Sequence, residues 1–362
     1  MKKILRASWF SPDPKGHGGN RRTLQIEELV TSLGLIVEDT QLNLSIRLQR
    51  RLERFFNGFN FINKYNYLTY PLHCRLSYLE DIFIDFNIGF NNYQGTKVIL
   101  WESTNNYTIP YLAKKNSFTI IALPHNIESL VVNKNNNFTS KSLPFNFQYE
   151  IKNLAKADKL FSISREEQWL LKLYGIDADF LPYYPPKEVL NYLLTIRKDR
   201  NDSEKKRFLI IGTANNYPTM QGMIEQIKWL KAIKKEFDYE IDVAGYGTEN
   251  LKEYCCDSSI NILGSVDSKE LYGLLVNAKA VLAHQKIGTG ALTRITEMVI
   301  AGIPVIANSS ACRSAFDFEG VYCYEDKSEL LNLMCKILDM PSILPPPIES
   351  EKRFLNYILS LI

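Results

Sequence analysis

From Phe208 onward the chain alternates short β-rich runs with amphipathic helical runs, and this constrains the fold more than any other feature. The apolar runs are FLII at 208–211, YEIDV at 239–243, INIL at 260–263, AVLA at 280–283, PVIA at 304–307 and VYCY at 321–324. Such alternation specifies a parallel, doubly wound α/β sheet, because parallel neighbours need a crossover and the crossover helices cover both sheet faces. Local signals agree with the pattern: Asp267 and Glu270 have the spacing of a capping box, and Gly302 stands where a helix would end. The first half reads similarly, with strands at 4–7, 97–101, 118–123 and 159–163. A helix there opens at Ser164 with Glu167 three positions on, and its apolar spacing, Trp169, Leu170 and Leu173, predicts a core-facing stripe.

A chain of 362 residues exceeds what one core usually organises, so two domains facing a cleft are expected. The boundary falls in DFLPYYPPKEVL and the polar stretch RKDRNDSEKKR that follows it. The expected division is 1–184 as a first Rossmann-like domain, 185–206 as a hinge, 207–340 as a second Rossmann-like domain, and 341–362 as a tail helix able to pack back on the first domain. Charge bears on partners: a net +3 is too mild for a nucleic-acid-binding face, so no nucleic-acid partner is expected. The opening MKKILRASWFSPDP has too short an apolar run for a signal peptide, and no stretch approaches the roughly 18 apolar residues of a membrane span. The six cysteines show no CxxC pair, which fits reduced thiols and a cytoplasmic location.

The segment AVLAHQKIGTGALTRITEMVIAGIPVIAN, residues 280–308, is the richest in chemistry. A strand ends at Ala283, Gly288, Thr289 and Gly290 turn the chain, and a helix is expected from about Ala291. A helix start behind a glycine turn binds phosphate, because its unpaired N–H groups and the positive end of its dipole converge there. Arg294 lies one turn in, and Glu297 is placed to accept two ribose hydroxyls. The same residues also read as a tight turn followed by an exposed i,i+3 ion pair. A dinucleotide fingerprint is disfavoured, since Thr293 replaces its third glycine and Asn308 and Ser309 stand where its acidic residue belongs. His125, after the strand at 118–123, sits at the edge where α/β sheets present functional loops, although a lone loop histidine is more often structural or solvated.

Taken together, Gly288, Gly290, Arg294, Glu297, Met298, Gly302, Pro304, Val305, Ile306 and Ala307 resemble the donor-binding motif of glycosyltransferase family 4 and related GT-B transferases. The resemblance extends over most of the second half. Gly212 and Thr213 resemble the family's opening donor turn, Gly245 its second turn, and Val266, within INILGSVDSKELYGLL, its base-contacting loop. In the first half Gly19 resembles the glycine that approaches the donor phosphate, and ALPHNIES the interdomain His-Asn motif.

The resemblance implies two Rossmann-like domains of the GT-B type. It implies a glycosyltransferase that moves a sugar from a nucleoside diphosphate sugar to a glycan or lipid-linked acceptor, with His125 catalytic and no metal or other cofactor required. An epimerase-like enzyme or a silent nucleotide-sugar-binding subunit would use the same architecture. Two departures from the family pattern stand out. Thr289 occupies the position of the first acidic residue of Glu-x7-Glu, so the sugar cannot be carried over, and TANNYPTMQG lacks the usual basic pair, which shifts the diphosphate onto Arg294 with Lys286 as a helper. Asp177-Ala178-Asp179 is a D-x-D string expected in a surface turn. Residues 44–61 combine a Leu/Phe stripe with four arginines, which fits a core helix or a peripheral contact with the inner face of a membrane.

Overall fold

The structure is a computed structural model that describes residues 2–40, 93–104, 108–131, 143–200, 207–234, 236, 239–255, 259–286 and 288–362. The arginine-rich helix expected at 44–61 lies outside the described residues.

Two six-stranded parallel sheets organise the described chain. The first contains β1 (Lys3–Ala7), β2 (Ile36–Asp39), β3 (Val98–Trp101), β4 (Thr119–Ala122), β5 (Lys159–Ser162) and β6 (Ala178–Phe180), in the order β2-β1-β3-β4-β5-β6. The second contains β7 (Arg207–Ile211), β8 (Glu240–Ala244), β9 (Ile260–Gly264), β10 (Ala280–Ala283), β11 (Val305–Asn308) and β12 (Val321–Tyr324), in the order β12-β11-β10-β7-β8-β9. The expected α/β architecture of two Rossmann-like domains is therefore present. Strand order reverses between β1 and β3 in one sheet and between β7 and β10 in the other. Ligands of such sheets bind beyond the carboxyl ends of the strands at this switch point.

Side chains alternate across the first sheet with period two. Ile4, Leu100, Ile121 and Phe161 enter one core, while Leu5, Ile99, Trp101 and Ile120 enter the other. Both faces are covered, which explains strands that read as continuous apolar runs. The helix Ile348–Leu359 returns to the first of these cores, where Phe354 and Ile358 are fully buried and Phe354 meets Phe161 edge-on at 5.2 Å.

Within 185–206, residues Lys187–Asp199 form a helix whose Val189, Leu193 and Ile196 join the core of the second sheet. Arginines in its last turn and just beyond it supply caps to neighbouring helices. Arg197 donates to the carbonyls of Val299 and Ile300, and Arg200 to those of Leu275, Val276 and Ala278. Each guanidinium satisfies carbonyls left over at a helix C-terminus.

Punctuation falls where the residue types require. Asp267 caps the helix Ser268–Asn277 by accepting from the Glu270 N–H at 2.8 Å. Asp267→Ala should lower stability by about 1 kcal/mol without altering activity, read as a drop in the chemical-denaturation midpoint. Gly302 adopts φ +73° and closes the helix Thr293–Ile300 in a Schellman turn, with Ile303 N–H on Met298 O and Gly302 N–H on Val299 O. Ser164 likewise caps the helix Arg165–Leu173, but the expected core stripe of that helix is corrected. Trp169 and Leu173 are 72% and 84% exposed, and the buried positions are Glu167 and Leu171. The reason is Glu167 itself, which is drawn inward by backbone donors from both domains. Ala178 and Asp179 of the D-x-D string lie in strand β6 rather than in a turn, Asp177 immediately precedes the strand, and Asp177 and Asp179 both pair with Lys159.

Candidate functional site

Two helix N-termini from different domains meet between the sheets. The helix Gly18–Thr31 follows β1 and the helix Thr293–Ile300 follows β10, so each springs from its sheet's switch point. They approach so closely that a Cβ on Gly18 would lie 2.5 Å from Thr293 Oγ1. The second helix starts at Thr293, two residues later than expected, and its N-cap Leu292 offers no side-chain acceptor. Its first amides therefore keep their positive end toward the cleft.

Arg294 reinforces that polarity. Its Nη1 donates to Ile211 O at 3.1 Å, directly over Gly212, where a Cβ would come within 2.4 Å of Nη1. Its Nε has no partner among the described residues although it is buried. Burial and the neighbouring Arg313 lower the Arg294 pKa to about 10, so the group stays charged at neutral pH, and among the described residues no carboxylate pairs with it. A half-buried cation with no anion beside it is costly, and an anionic ligand would relieve that cost. The loops after β7 and β8 pack to make this floor. Gly245 has φ +134°, and a Cβ there would strike Gly212 O at 2.0 Å, so only glycine fits. Thr213 continues the first of these loops, its carbonyl accepting from Asn216, and Gly245 N–H reaches Gly264 O in the loop leading to Val266. Lys286 is exposed beside the Gly288–Gly290 turn.

The glycine turn is held from both sides. Arg313 donates from Nε to Gly290 O, from Nη1 to Gln285 Oε1, and from Nη2 to Thr289 O. The Gly290 N–H is not open to a phosphate, because it donates to Glu167 Oε1 at 2.9 Å. The same oxygen accepts from Ile127 N–H at 2.8 Å, so one carboxylate ties the His125 loop of the first domain to the glycine turn of the second. Burial pushes the Glu167 carboxyl up to about 7. Glu150, also buried and pushed up to about 8, takes the N–H groups of Glu128 and Ser129 and so holds the far end of the His125 loop. Thr289 Oγ1 is buried without a partner among the described residues.

His125 has a partner that sequence reasoning missed. Its Nε2 lies 3.2 Å from Glu102 Oε2, and that oxygen also accepts from Thr23 Oγ1 at 2.6 Å. Glu102 is buried at the carboxyl end of β3, a position from which a carboxylate beside a switch point was readable. Its Oε1 has no partner among the described residues. Phe10 stacks on the imidazole at 5.2 Å. With Nε2–H assigned to Glu102, Nδ1 is left as the acceptor nitrogen. Gly19 lies close by, but His17 Nδ1 accepts its N–H at 3.1 Å, so this amide is also engaged. Burial, then the nearby His125 and Arg21, lower the His17 pKa and favour its neutral form.

Glu297 is buried beneath the cleft, and both of its oxygens are engaged. Tyr183 Oη donates to Oε1 at 2.6 Å and Arg21 Nη1 to Oε2 at 2.5 Å. Burial and then Glu297 raise the Tyr183 pKa. Thus Gly19, His125, Glu297, Arg294, Gly212, Gly245 and the Gly288–Gly290 turn converge on one cleft, and Glu102, His17, Arg21, Tyr183, Glu167 and Arg313 join them. Among the described residues no cluster of His, Cys, Asp or Glu has the arrangement of a metal site, and no helix is long and apolar enough to cross a membrane.

No protein-family model matches the chain, and no curated protein matches it in sequence. Solved structures do match in fold. Sucrose-phosphate synthase from Thermosynechococcus elongatus is 16% identical, with 100% of this chain and 95% of that one covered and a TM-score of 0.61. The trehalose 6-phosphate synthase from Burkholderia multivorans is 10% identical over 99% and 92%, with a TM-score of 0.64. The UDP-GlcNAc 2-epimerase from Methanocaldococcus jannaschii, in complex with UDP-GlcNAc and UDP, is 14% identical over 99% and 100%, with a TM-score of 0.53. These likenesses establish the fold, which is the GT-B arrangement of two Rossmann-like domains.

Proposed function

We propose that the protein is a glycosyltransferase that uses a nucleoside diphosphate sugar. The observation that carries this reading is Arg294, a half-buried cation whose Nε is buried without a partner among the described residues, where two helix N-termini meet. A diphosphate supplies the counter-charge that the group lacks. The loops bearing Gly212, Thr213, Gly245 and Val266 take the base and its ribose edge, Glu297 takes the ribose hydroxyls, and Gly288, Thr289 and the helix start at Thr293 take the phosphates. Gly19 and Gly290 contribute close approach, their own N–H groups being engaged by His17 and Glu167.

His125 then faces the sugar and the acceptor from the first domain. With Nε2 directed at Glu102, Nδ1 can accept a proton from an acceptor hydroxyl, and Glu102 balances the imidazolium that forms. The bond from the anomeric carbon to the diphosphate breaks as the new glycosidic bond forms, and the developing charge on the leaving diphosphate meets Arg294 and the helix N-terminus. These groups act without a metal. The acceptor is a glycan or lipid-linked hydroxyl, met in the cytoplasm or at the inner face of a membrane. The M. jannaschii neighbour supports one second reading, an epimerase-like enzyme that needs no acceptor.

The test is a thermal-shift panel of nucleotide sugars, followed by product analysis with and without candidate acceptors. A ligand at 100 times its dissociation constant stabilises by about 2.7 kcal/mol, well within detection. A new glycoside supports transfer, an epimerised donor without acceptor supports the second reading, and no shift with any nucleotide sugar rejects both. Arg294→Ala should weaken nucleoside diphosphate binding about thirtyfold by calorimetry and leave the free nucleoside almost unchanged, because its partner is the phosphate and not the base.

A further inference from the structure

Arg21 stands on the first turn of the helix Gly18–Thr31, the end at which a cation is disfavoured by the helix dipole. It is not spent on local structure alone. Its Nε rests on Pro14 O at 3.1 Å, while its Nη1 crosses between the domains to Glu297 Oε2 at 2.5 Å. Nη2 makes no bond among the described residues, and about a quarter of the side chain is open to solvent. The adjacent Arg22 is different in kind. It is fully buried and donates to Leu181 O, Pro182 O and Gln25 Oε1, which fixes the strand of chain that carries Tyr183. Helix Gly18–Thr31 thus anchors itself with Arg22 and presents Arg21 to the cleft.

We infer that Arg21 is a donor-responsive clamp, paired with Glu297 when the cleft is empty and transferred to the diphosphate when ribose hydroxyls take over Glu297. The inference rests on the donor assignment of Glu297 made under the proposed function. Ribose hydroxyls are neutral donors, so a free nucleoside that engages Glu297 must compete with a guanidinium and leaves that guanidinium without a counter-charge. Inorganic pyrophosphate could draw Arg21 away, but it would leave Glu297 buried with only Tyr183. A nucleoside diphosphate satisfies both groups at once. Because Arg21 belongs to the first domain and Glu297 to the second, the exchange keeps the cleft closed in either state. The base-bearing ribose and the diphosphate in one molecule therefore bind more tightly than either part alone.

The inference predicts effects of opposite sign. For Arg21→Gln, isothermal titration should show uridine binding tighter by threefold to tenfold, since its competitor for Glu297 is gone, and UDP binding weaker by about tenfold, since a phosphate-seeking charge is gone. If the nucleotide-sugar panel selects another base, that nucleoside and its diphosphate replace this pair. Arg21→Lys keeps the charge but pairs less well with a carboxylate, so it should bind the nucleoside more tightly and hold the diphosphate within threefold of wild type. It carries the test should Arg21→Gln fail to fold. Parallel loss of both ligands, or no change in either, overturns the clamp and leaves Arg21 as an interdomain strut. Absence of any nucleoside diphosphate binding by the wild type is a separate result, which overturns the donor assignment itself.

Discussion

His125→Ala should lower turnover about a hundredfold while nucleoside diphosphate affinity stays near that of wild type, the usual scale for one positioned acid-base group. The reasoning is geometric. His125 reaches the cleft from the first domain, Glu102 and Phe10 fix its ring, and Gly290, among the groups assigned to the diphosphate, lies against its backbone carbonyl. Glu102→Gln should lower turnover by a comparable factor, because the amide neither balances an imidazolium nor selects the same tautomer as firmly. The measurement is steady-state kinetics on the donor and acceptor that the panel identifies, with diphosphate titration on the same samples. A turnover that survives His125→Ala would make the imidazole a strut between Phe10 and Glu102.

Much of this fold was legible in the alternation of strand and helix. All six strands expected in the second half are present within a residue or two, and so are the four expected in the first. The two strands that escaped reading, Ile36–Asp39 and Ala178–Phe180, are sheet edges. An edge strand shows one side to solvent, so IVED and ADF carry charges and lack the continuous apolar run by which a central parallel strand is recognised. The helix Arg165–Leu173 misled for a different reason. Its apolar residues are spaced as a core stripe, yet its inward face is set by Glu167, which two backbone N–H groups on separate loops require. Spacing along one helix carries no information about donors contributed by chain 40 and 123 residues away.

The same limit explains the site. Gly288, Gly290, Arg294 and Glu297 are neighbours in sequence, so their convergence follows from one turn and one helix. Glu102, Tyr183 and Arg21 join them only because two sheets bring their switch points face to face. A single motif could show what the second domain offers to a ligand, but not what the first domain does in return. The pairing of Glu297 with Arg21 and Tyr183 is the clearest instance, since it engages the carboxylate that the motif alone leaves open.

That pairing sharpens the prediction for Glu297→Gln. Loss of two charge-assisted hydrogen bonds to ribose should cost on the order of 3 kcal/mol, a hundredfold or more in affinity for the nucleoside diphosphate. The free nucleoside should weaken too, though by less because it must already compete with Arg21 for that carboxylate, unlike the result expected for Arg294→Ala. The substitution should be tolerated by the fold. Gln has nearly the same volume, its carbonyl can still accept from Tyr183 Oη, and Arg21 is partly open to water that can replace the lost carboxylate. Calorimetry with the diphosphate and the nucleoside, alongside a melting curve, separates the cases. A weakened ligand with a near-normal melting temperature supports ribose recognition. An unchanged affinity with a lowered melting temperature would make Glu297 the socket of an interdomain ion pair, and ribose recognition would then have to come from the loops that carry Gly212, Gly245 and Val266.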